Sequence, residues 1–332
     1  MVIHLNKNVN ETKALELAEQ VKSIHFFNGA NHVLVTSSKL KELPASLQEY
    51  TEAFFPTSSD IQLASREYLK ERRTVKIGGQ HIGGNTNNTI VITGPCSVES
   101  EEQIDISAKL CVELGVKVLR AGAFKPRTSP YTFQGLGLEG LKLLAKMREK
   151  YGLQIITEVR DSTHVDDIIE YADIVQIGAK SMYDHGILKK CGKTQKTVLL
   201  KRGFGTTLQE FAQAAEFILS GGNPNVILCE RGIRTFETKT RFTLDLCGVA
   251  WLKEYTNLPI ILDPSHAIGY AYGVADLARA CVAMGIDGLL IETHPNPKVA
   301  LSDADQQLDF NQFRALYASL QAVAKSVGRT II

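Results

Sequence analysis

Thr89-Ile90-Val91-Ile92-Thr93-Gly94-Pro95-Cys96 is the stretch on which the reading of the chain turns. A continuous apolar run without alternation is the signature of a strand buried on both faces. This one stops at a glycine–proline pair, and the next residue is a thiol. Working outward, further apolar runs begin near Val116, Leu153, Ile174, Thr197, Val226, Leu258 and Gly288. Their spacing of about 20–37 residues leaves room for one helix per unit. The repeated βα pattern over residues 89–332 predicts a (β/α)8 TIM barrel, in which chemistry sits at the C-terminal ends of the strands. A doubly wound sheet is the alternative, but it would place a glycine-rich phosphate turn after an early strand, and the sequence has none.

Upstream the rhythm changes. Val2–Leu5 reads as a strand, and Asn10-Glu11-Thr12 offers a capped start for a helix running to Val21. Ile24–Phe27 and His32–Thr36 read as strands joined by the turn-rich Asn28-Gly29-Ala30-Asn31. A second helix is expected over Leu43–Tyr50 with Pro44 in its first turn, and a last strand over Ala53–Phe55. The order β-α-β-β-α-β predicts a small α+β ferredoxin-like domain over residues 1–60. Residues 61–88 read as a connector. In it Ser65-Arg66-Glu67-Tyr68 is helix-prone, and Thr74–Ile77 with Gly78-Gly79 suggests a small hairpin.

Composition narrows the class. The 332 residues are 44% hydrophobic and 22% charged, ordinary for a soluble globular protein. The net charge of +1 gives no global field for nucleic acid or an acidic membrane, so local basic clusters need local ligands. The six cysteines are scattered without a CxxC, which points to reduced thiols in a reducing compartment. Met1–Lys7 has no charged leader before an apolar core, and no run reaches about 18 apolar residues. A cytoplasmic protein without signal peptide or membrane span is expected.

The strand ends hold the chemistry. Arg120, Lys125, Arg127 and Thr128 follow the second run, Lys180 the fourth, Lys201 and Arg202 the fifth, and Arg231 and Arg234 the sixth. Cations gathered on one rim repel one another unless anions are bound there. There are more of them than one phosphate requires, so two anionic groups fit better. Arginine suits phosphate through its planar fork, whereas lysine acts as a point charge or proton donor. Cys96, His266, Glu292 and Asp303 supply sulfur, nitrogen and two carboxylates from the first, seventh and eighth units. Such a set suits one divalent Mn, Fe, Co or Zn better than Mg or Ca, and an open position on the ion would polarise a carbonyl. Taken singly, a residue such as Cys96 is more often an inert buried thiol, and His266 also reads as a core histidine bonded to backbone. His294 shares a strand face with Glu292 and competes with His266. Glu158, ending the third run, adds a carboxylate that can form a structural salt bridge to a rim cation.

Several of these segments together resemble one enzyme family. Gly94-Pro95-Cys96-Ser97-Val98-Glu99, Arg120 through Tyr131, Leu200-Lys201-Arg202-Gly203, Cys229-Glu230-Arg231-Gly232-Ile233-Arg234, Asp263-Pro264-Ser265-His266 and His294 through Asp303 are similar to 3-deoxy-D-arabino-heptulosonate 7-phosphate (DAHP) synthases, and more narrowly to type Iβ. The likeness spans about residues 63–325, and its most specific part is Lys125-Pro126-Arg127-Thr128. The resemblance implies a metal-dependent condensation of phosphoenolpyruvate with erythrose 4-phosphate, opening the shikimate pathway. By the same resemblance Cys96, His266, Glu292 and Asp303 would bind the metal. Arg120, Lys125, Lys201 and Arg231 would hold phosphoenolpyruvate, and Arg127 and Thr128 the phosphate of the aldose. Lys125 would protonate the new alkoxide, with Glu158 orienting water. A homotetramer and a regulatory N-terminal domain responding to Tyr or Phe are also implied.

One departure stands out. The family usually has arginine where this chain has Lys180, with Arg234 a candidate to compensate. A metal-facing Cys96 is expected to have a low pKa and to oxidise first. The alternatives are a sister synthase of the octulosonate-phosphate type and a catalytically silent metabolite-sensing barrel, against which the intact ligand and cation sets argue.

Overall fold

The computed structural model describes residues 1–125 and 129–332. The chain begins with β1 (Val2–Leu5), α1 (Glu11–Gln20), β2 (Ile24–Phe27), β3 (His32–Val35) and β4 (Thr51–Phe55). The four strands form an antiparallel sheet in the order β2-β3-β1-β4. Asn10 caps α1 by accepting the Lys13 N–H at 2.9 Å. Strand alternation sends Ile3, Leu5 and Leu34 to the α1 side and Val2, Val33 and Val35 into the core shared with the barrel.

Two expectations fail here for physical reasons. The helix expected over Leu43–Tyr50 is a 3-10 helix over Ala45–Tyr50, with Pro44 at its N-cap rather than within it. Between that proline and the start of β4 there is space for little more than a tight turn and a half. Ser65–Tyr68 is a turn rather than a helix. Its backbone groups find tertiary partners instead: Arg66 N–H donates to the Tyr255 carbonyl at 3.1 Å, and Asn257 Nδ2 donates to the carbonyls of Leu63 and Ser65 at 2.9 Å each.

The connector hairpin, β5 (Thr74–Ile77) and β6 (Gln80–Gly83), turns at Gly78 and Gly79, both at positive φ. Its Val75, Ile77 and Ile82 are fully buried against the inward residues of the barrel strands, so the hairpin plugs the end opposite the strand C-termini. The barrel strands are β7 (Asn88–Gly94), β8 (Val118–Arg120), β9 (Gln154–Val159), β10 (Ile174–Ile177), β11 (Thr197–Lys201), β12 (Val226–Glu230), β13 (Ile260–Leu262) and β14 (Gly288–Glu292). Each pairs in parallel with the next, and β14 pairs with β7. That last pairing closes the barrel and rules out the open doubly wound sheet. Around it run α2 (Glu101–Leu114), α3 (Leu138–Tyr151), α4 (Val165–Tyr171), α5 (His185–Gly192), α6 (Leu208–Leu219), α7 (Leu246–Tyr255), the short α8 (Pro264–Ile268), α9 (Ala271–Ala283) and α10 (Phe310–Ser326). A final β15 (Thr330–Ile331) pairs with the start of β7. Among the described residues no helix is long and apolar enough to cross a membrane.

One side chain fastens the N-terminal module's connector to the barrel. Glu216 of α6 accepts the backbone N–H groups of Gln62, Leu63 and Ala64 at 2.8, 3.0 and 2.7 Å. Gln62 in turn donates from Nε2 to the Thr36 carbonyl at 2.7 Å and receives the Met1 amino group. Loss of water around the Glu216 carboxyl pushes it up from 4.5 to about 7, against the pull of the three amides. A carboxyl raised in the folded state stabilises most when protonated. This contribution is present below about pH 4.5 and lost as pH rises through 7. The melting temperature of the native protein should therefore fall more between pH 5.5 and 8 than that of Glu216→Gln; equal slopes in thermal melts would overturn this.

Candidate active site

The eight strand C-termini open into a cleft of about 520 Å³. The turn after β7 needs glycine at position 94, because φ is 143° and a Cβ there would overlap the Arg120 carbonyl oxygen. That turn drops Cys96 into the mouth, where its N–H donates to Gln307 Oε1 at 2.9 Å. After β13, Asp263 caps α8 by accepting the His266 N–H at 3.0 Å, so the short helix starts with His266 turned inward. β14 ends on Glu292, whose Cα partner across the closing seam is Gly94.

The four expected ligand residues converge. Cys96 Sγ and the carboxylates of Glu292 and Asp303 offer ligand atoms all within 4.8 Å of one another. His266 Nε2 lies 3.4 Å from Glu292 Oε1, with Nδ1 2.7 Å from Asp263 Oδ2. His294 is not part of the group. Its Nε2 faces Glu99 at 3.3 Å and its Nδ1 accepts the Asn296 N–H at 3.0 Å, so both ring nitrogens serve the loop after β14.

Charge in the site is fixed by contacts. Burial alone would raise the Glu292 carboxyl, but His266 and Arg120 outweigh it and hold it at about 2. Asp303 is likewise held well below the usual range, burial being overcome by His266 and Lys125. Lys125 keeps its proton, because Cys96, Glu158 and Glu292 outweigh the cost of burial. Its Nζ donates to Cys96 Sγ at 2.9 Å. In the ion-free site Cys96 is a neutral thiol. Complete burial, reinforced by Glu292, pushes the thiol up to about 12 despite Lys125, and Sγ donates to Asp303 Oδ2 at 3.0 Å.

The cations fall into two groups, which revises the idea that their crowding alone demands external anions. Arg120 pairs with Glu292, Lys201 with Asp263 at 2.6 Å, and Arg202 with Glu230 at 2.9 Å and Asp245 at 2.8 Å. These are balanced within the protein. Arg231 is different: it is 4% exposed, its Nη1 is buried without a partner, and its Nη2 only reaches the His266 carbonyl at 3.5 Å. Arg231, Arg234, Lys180, Lys125 and Lys201 all line the cleft. Arg127 and Thr128 lie outside the described residues.

Glu158 faces the same space from β9. Gln176 Nε2 donates to its Oε2 at 2.7 Å, and it lies flat over Gly178, where any Cβ would collide with Oε1. Sequence reasoning missed the supports of the carboxylates. Gln306 Nε2 donates to Glu292 Oε2, and Arg241 Nη1 donates to Gln306 Oε1 at 2.7 Å while standing 3.6 Å from Asp303 Oδ1. Gln306 and Gln307 adjoin Asp303 in sequence, which was the available signal. Arg241 sits in a polar loop with none.

The family model described as the DAHP synthetase I family matches residues 61–329. The chain belongs to that family. A phospho-2-dehydro-3-deoxyheptonate aldolase from Thermotoga maritima is 46% identical over 267 residues, covering 80% of this chain and 78% of the relative. The crystal structure of a Thermotoga maritima protein of that name, also called DAHP synthase, matches 100% of this chain and 99% of its own with a TM-score of 0.79 and 39% identity. A truncated form of the 3-deoxy-D-arabino-heptulosonate 7-phosphate synthase from Thermotoga maritima covers 82% of this chain and 100% of its own, with a TM-score of 0.77 and 42% identity. More distantly, a 2-dehydro-3-deoxyphosphooctonate aldolase from Syntrophotalea carbinolica is 32% identical over 268 residues, 75% of this chain and 95% of the relative.

In this member of the DAHP synthetase I family, the flat seat of Glu158 on Gly178 is directly testable. Gly178→Ala should retain the fold, because the new methyl meets only the end of the Glu158 side chain. Displacing the Glu158 carboxylate should lower turnover by roughly ten- to a hundredfold. Full turnover in a folded variant would show that the orientation of Glu158 does not matter.

Proposed function

We infer that this chain condenses phosphoenolpyruvate with erythrose 4-phosphate and water to give DAHP and inorganic phosphate, the first step of the shikimate pathway. The observation behind this reading is one cleft that joins a thiol–imidazole–carboxylate group to arginines whose N–H groups are unspent, in a chain 46% identical to a Thermotoga maritima phospho-2-dehydro-3-deoxyheptonate aldolase.

Cys96, His266, Glu292 and Asp303 have the donor chemistry to hold one divalent Mn, Fe, Co or Zn ion, and the depressed carboxyls keep two of the four ionised without help. Such an ion supplies Lewis acidity toward the aldehyde of the sugar phosphate. Arg120, Lys125, Lys201 and Arg231 hold phosphoenolpyruvate, and Arg127 with Thr128 receives the aldose phosphate. Lys180 and Arg234 complete the rim, the lysine giving a point charge where an arginine would give a fork. As C3 of phosphoenolpyruvate bonds to the aldehyde carbon, the protonated Lys125 gives its proton to the forming alkoxide. Glu158 orients the water that adds to C2, and cleavage of the C–O bond then releases phosphate.

The reading extends to the N-terminal module. The strand order β2-β3-β1-β4 with α1 after β1 supports a ferredoxin-like domain over residues 1–60. We take the chain as a type Iβ enzyme, a homotetramer in the cytoplasm, whose module binds Tyr or Phe and restrains turnover.

Two measurements decide the main points. Exhaustive chelation should abolish phosphate release, and Mn2+ should restore it; Cys96→Ala should lose both the bound ion and turnover, by at least about a thousandfold. Product analysis should give DAHP from erythrose 4-phosphate and little from arabinose 5-phosphate; the reverse preference would make the chain an octulosonate-phosphate synthase, the reading its Syntrophotalea carbinolica relative favours. Separately, removing residues 1–60 should leave an active barrel, since a truncated Thermotoga maritima synthase has a solved structure. That barrel should lose inhibition by Tyr or Phe; inhibition that survives would remove the regulatory role from the module.

A further inference from the structure

Two arginines of the cleft have aromatic rings where the others have carboxylates. The Arg231 guanidinium lies over the Phe242 ring, 4.3 Å from its centroid, and that of Arg234 over the Phe204 ring at 4.8 Å. The two rings stack on each other with centroids 5.4 Å apart and planes 26° from parallel. The result is one continuous pile, Arg231–Phe242–Phe204–Arg234, joining the segments after β11 and β12. Among the described residues neither Arg231 nor Arg234 forms an ion pair with a carboxylate.

The pile is held by backbone. Phe242 N–H donates to the Ala267 carbonyl at 2.8 Å, and Ile233 and Thr243 exchange two hydrogen bonds of 2.9 Å beside it. Arg234 N–H donates to the Phe204 carbonyl at 2.6 Å. Gly232, at φ 97°, lets the Phe242 segment approach, since a Cβ there would stand 2.7 Å from Phe242 Cβ.

The chemical consequence follows from how each partner holds a cation. A carboxylate consumes guanidinium N–H groups, as Glu230 and Asp245 do with Arg202. A ring attracts the same cation through its face and leaves the N–H edge untouched. Arg231 keeps a terminal nitrogen, Nη1, buried and unpartnered, whereas the carboxylate-bound Arg120 and Arg202 use both terminal nitrogens and leave only Nε so. It is also almost wholly buried, so contacts within the protein fix where it points.

We propose that Phe242 and Phe204 are positioning residues that orient Arg231 and Arg234 by cation–π stacking and reserve their N–H groups for the phosphate of a substrate. The geometry stands by itself. The identity of the anion, phosphoenolpyruvate, rests on the function proposed above.

The test compares leucine with tyrosine at each ring, reading calorimetric binding of inorganic phosphate and steady-state kinetics on the metal-loaded enzyme. Phe242→Leu should weaken phosphate binding and raise KM for phosphoenolpyruvate by about three- to tenfold, the worth of one cation–π contact, with a smaller change in kcat. Phe242→Tyr, which keeps the ring face, should return both to within about twofold of the native values. Leucine and tyrosine behaving alike would overturn the proposal, as would native binding in Phe242→Leu. If Phe242→Leu does not fold, Phe204→Leu and Phe204→Tyr decide by the same contrast, since Phe204 is only partly buried. Native protein that binds phosphate but makes no DAHP would refute the functional reading and leave the binding contrast to judge the stack. Native protein that binds no phosphate would refute the stack's role.

Discussion

Closure of the barrel between β14 and β7 is the constraint on which the rest depends. Parallel pairing across that seam sets Glu292 opposite Gly94, and the turn at Gly94 is possible only because the residue has no side chain to meet the Arg120 carbonyl. From that register the remainder follows. Cys96 falls beside Glu292, and the loop after β14 folds back so that Asp303 meets the thiol and Gln307 takes its N–H. A sheet that stayed open at this edge would leave the sulfur and the carboxylates at opposite ends of the fold.

Inside that frame the site is a problem of charge in a place with little water. Removing one charge from solvent is expensive, and a buried cation is tolerated only with a partner. The protein solves this in two ways. Arg120, Lys201 and Arg202 are matched to Glu292, Asp263 and the Glu230–Asp245 pair, which makes them rigid and also orders the carboxylates. The buried Arg231 stacks on a ring, as the exposed Arg234 also does, which leaves their hydrogen-bonding edges unused by the ring. The cleft thus contains cations tied to carboxylates and cations backed by rings. The same burial explains Cys96: a thiol surrounded by carboxylates and shut off from water stays protonated, so its readiness to bind a soft ion depends on the ion displacing that proton.

The N-terminal sheet is joined to this machinery through α6. Glu216 near the end of α6 gathers three connector amides, while Thr207 at its start forms a capping box just beyond Phe204. One helix therefore has the module's connector near one end and an aromatic of the cleft near the other.

Sequence by itself determined a great deal. Apolar runs of strand length at regular spacing admit few solutions, so the barrel was legible from local pattern, while Cys96, His266, Glu292 and Asp303 stood out as a set only through the family resemblance. The helix expected over Leu43–Tyr50 shrank to a 3-10 helix over Ala45–Tyr50, and the helix-prone Ser65–Tyr68 became a turn, because a short segment takes its backbone partners from whatever packs against it, as Arg66 does from Tyr255. Only the tertiary structure decided which cations are spent and which are free, that His294 turns to Glu99 and Asn296, and that Phe204 and Phe242 meet. Those outcomes depend on contacts between residues far apart in the chain. No local pattern encodes the distance between a guanidinium and its partner, and that distance determines whether its charge supports the fold or awaits a ligand.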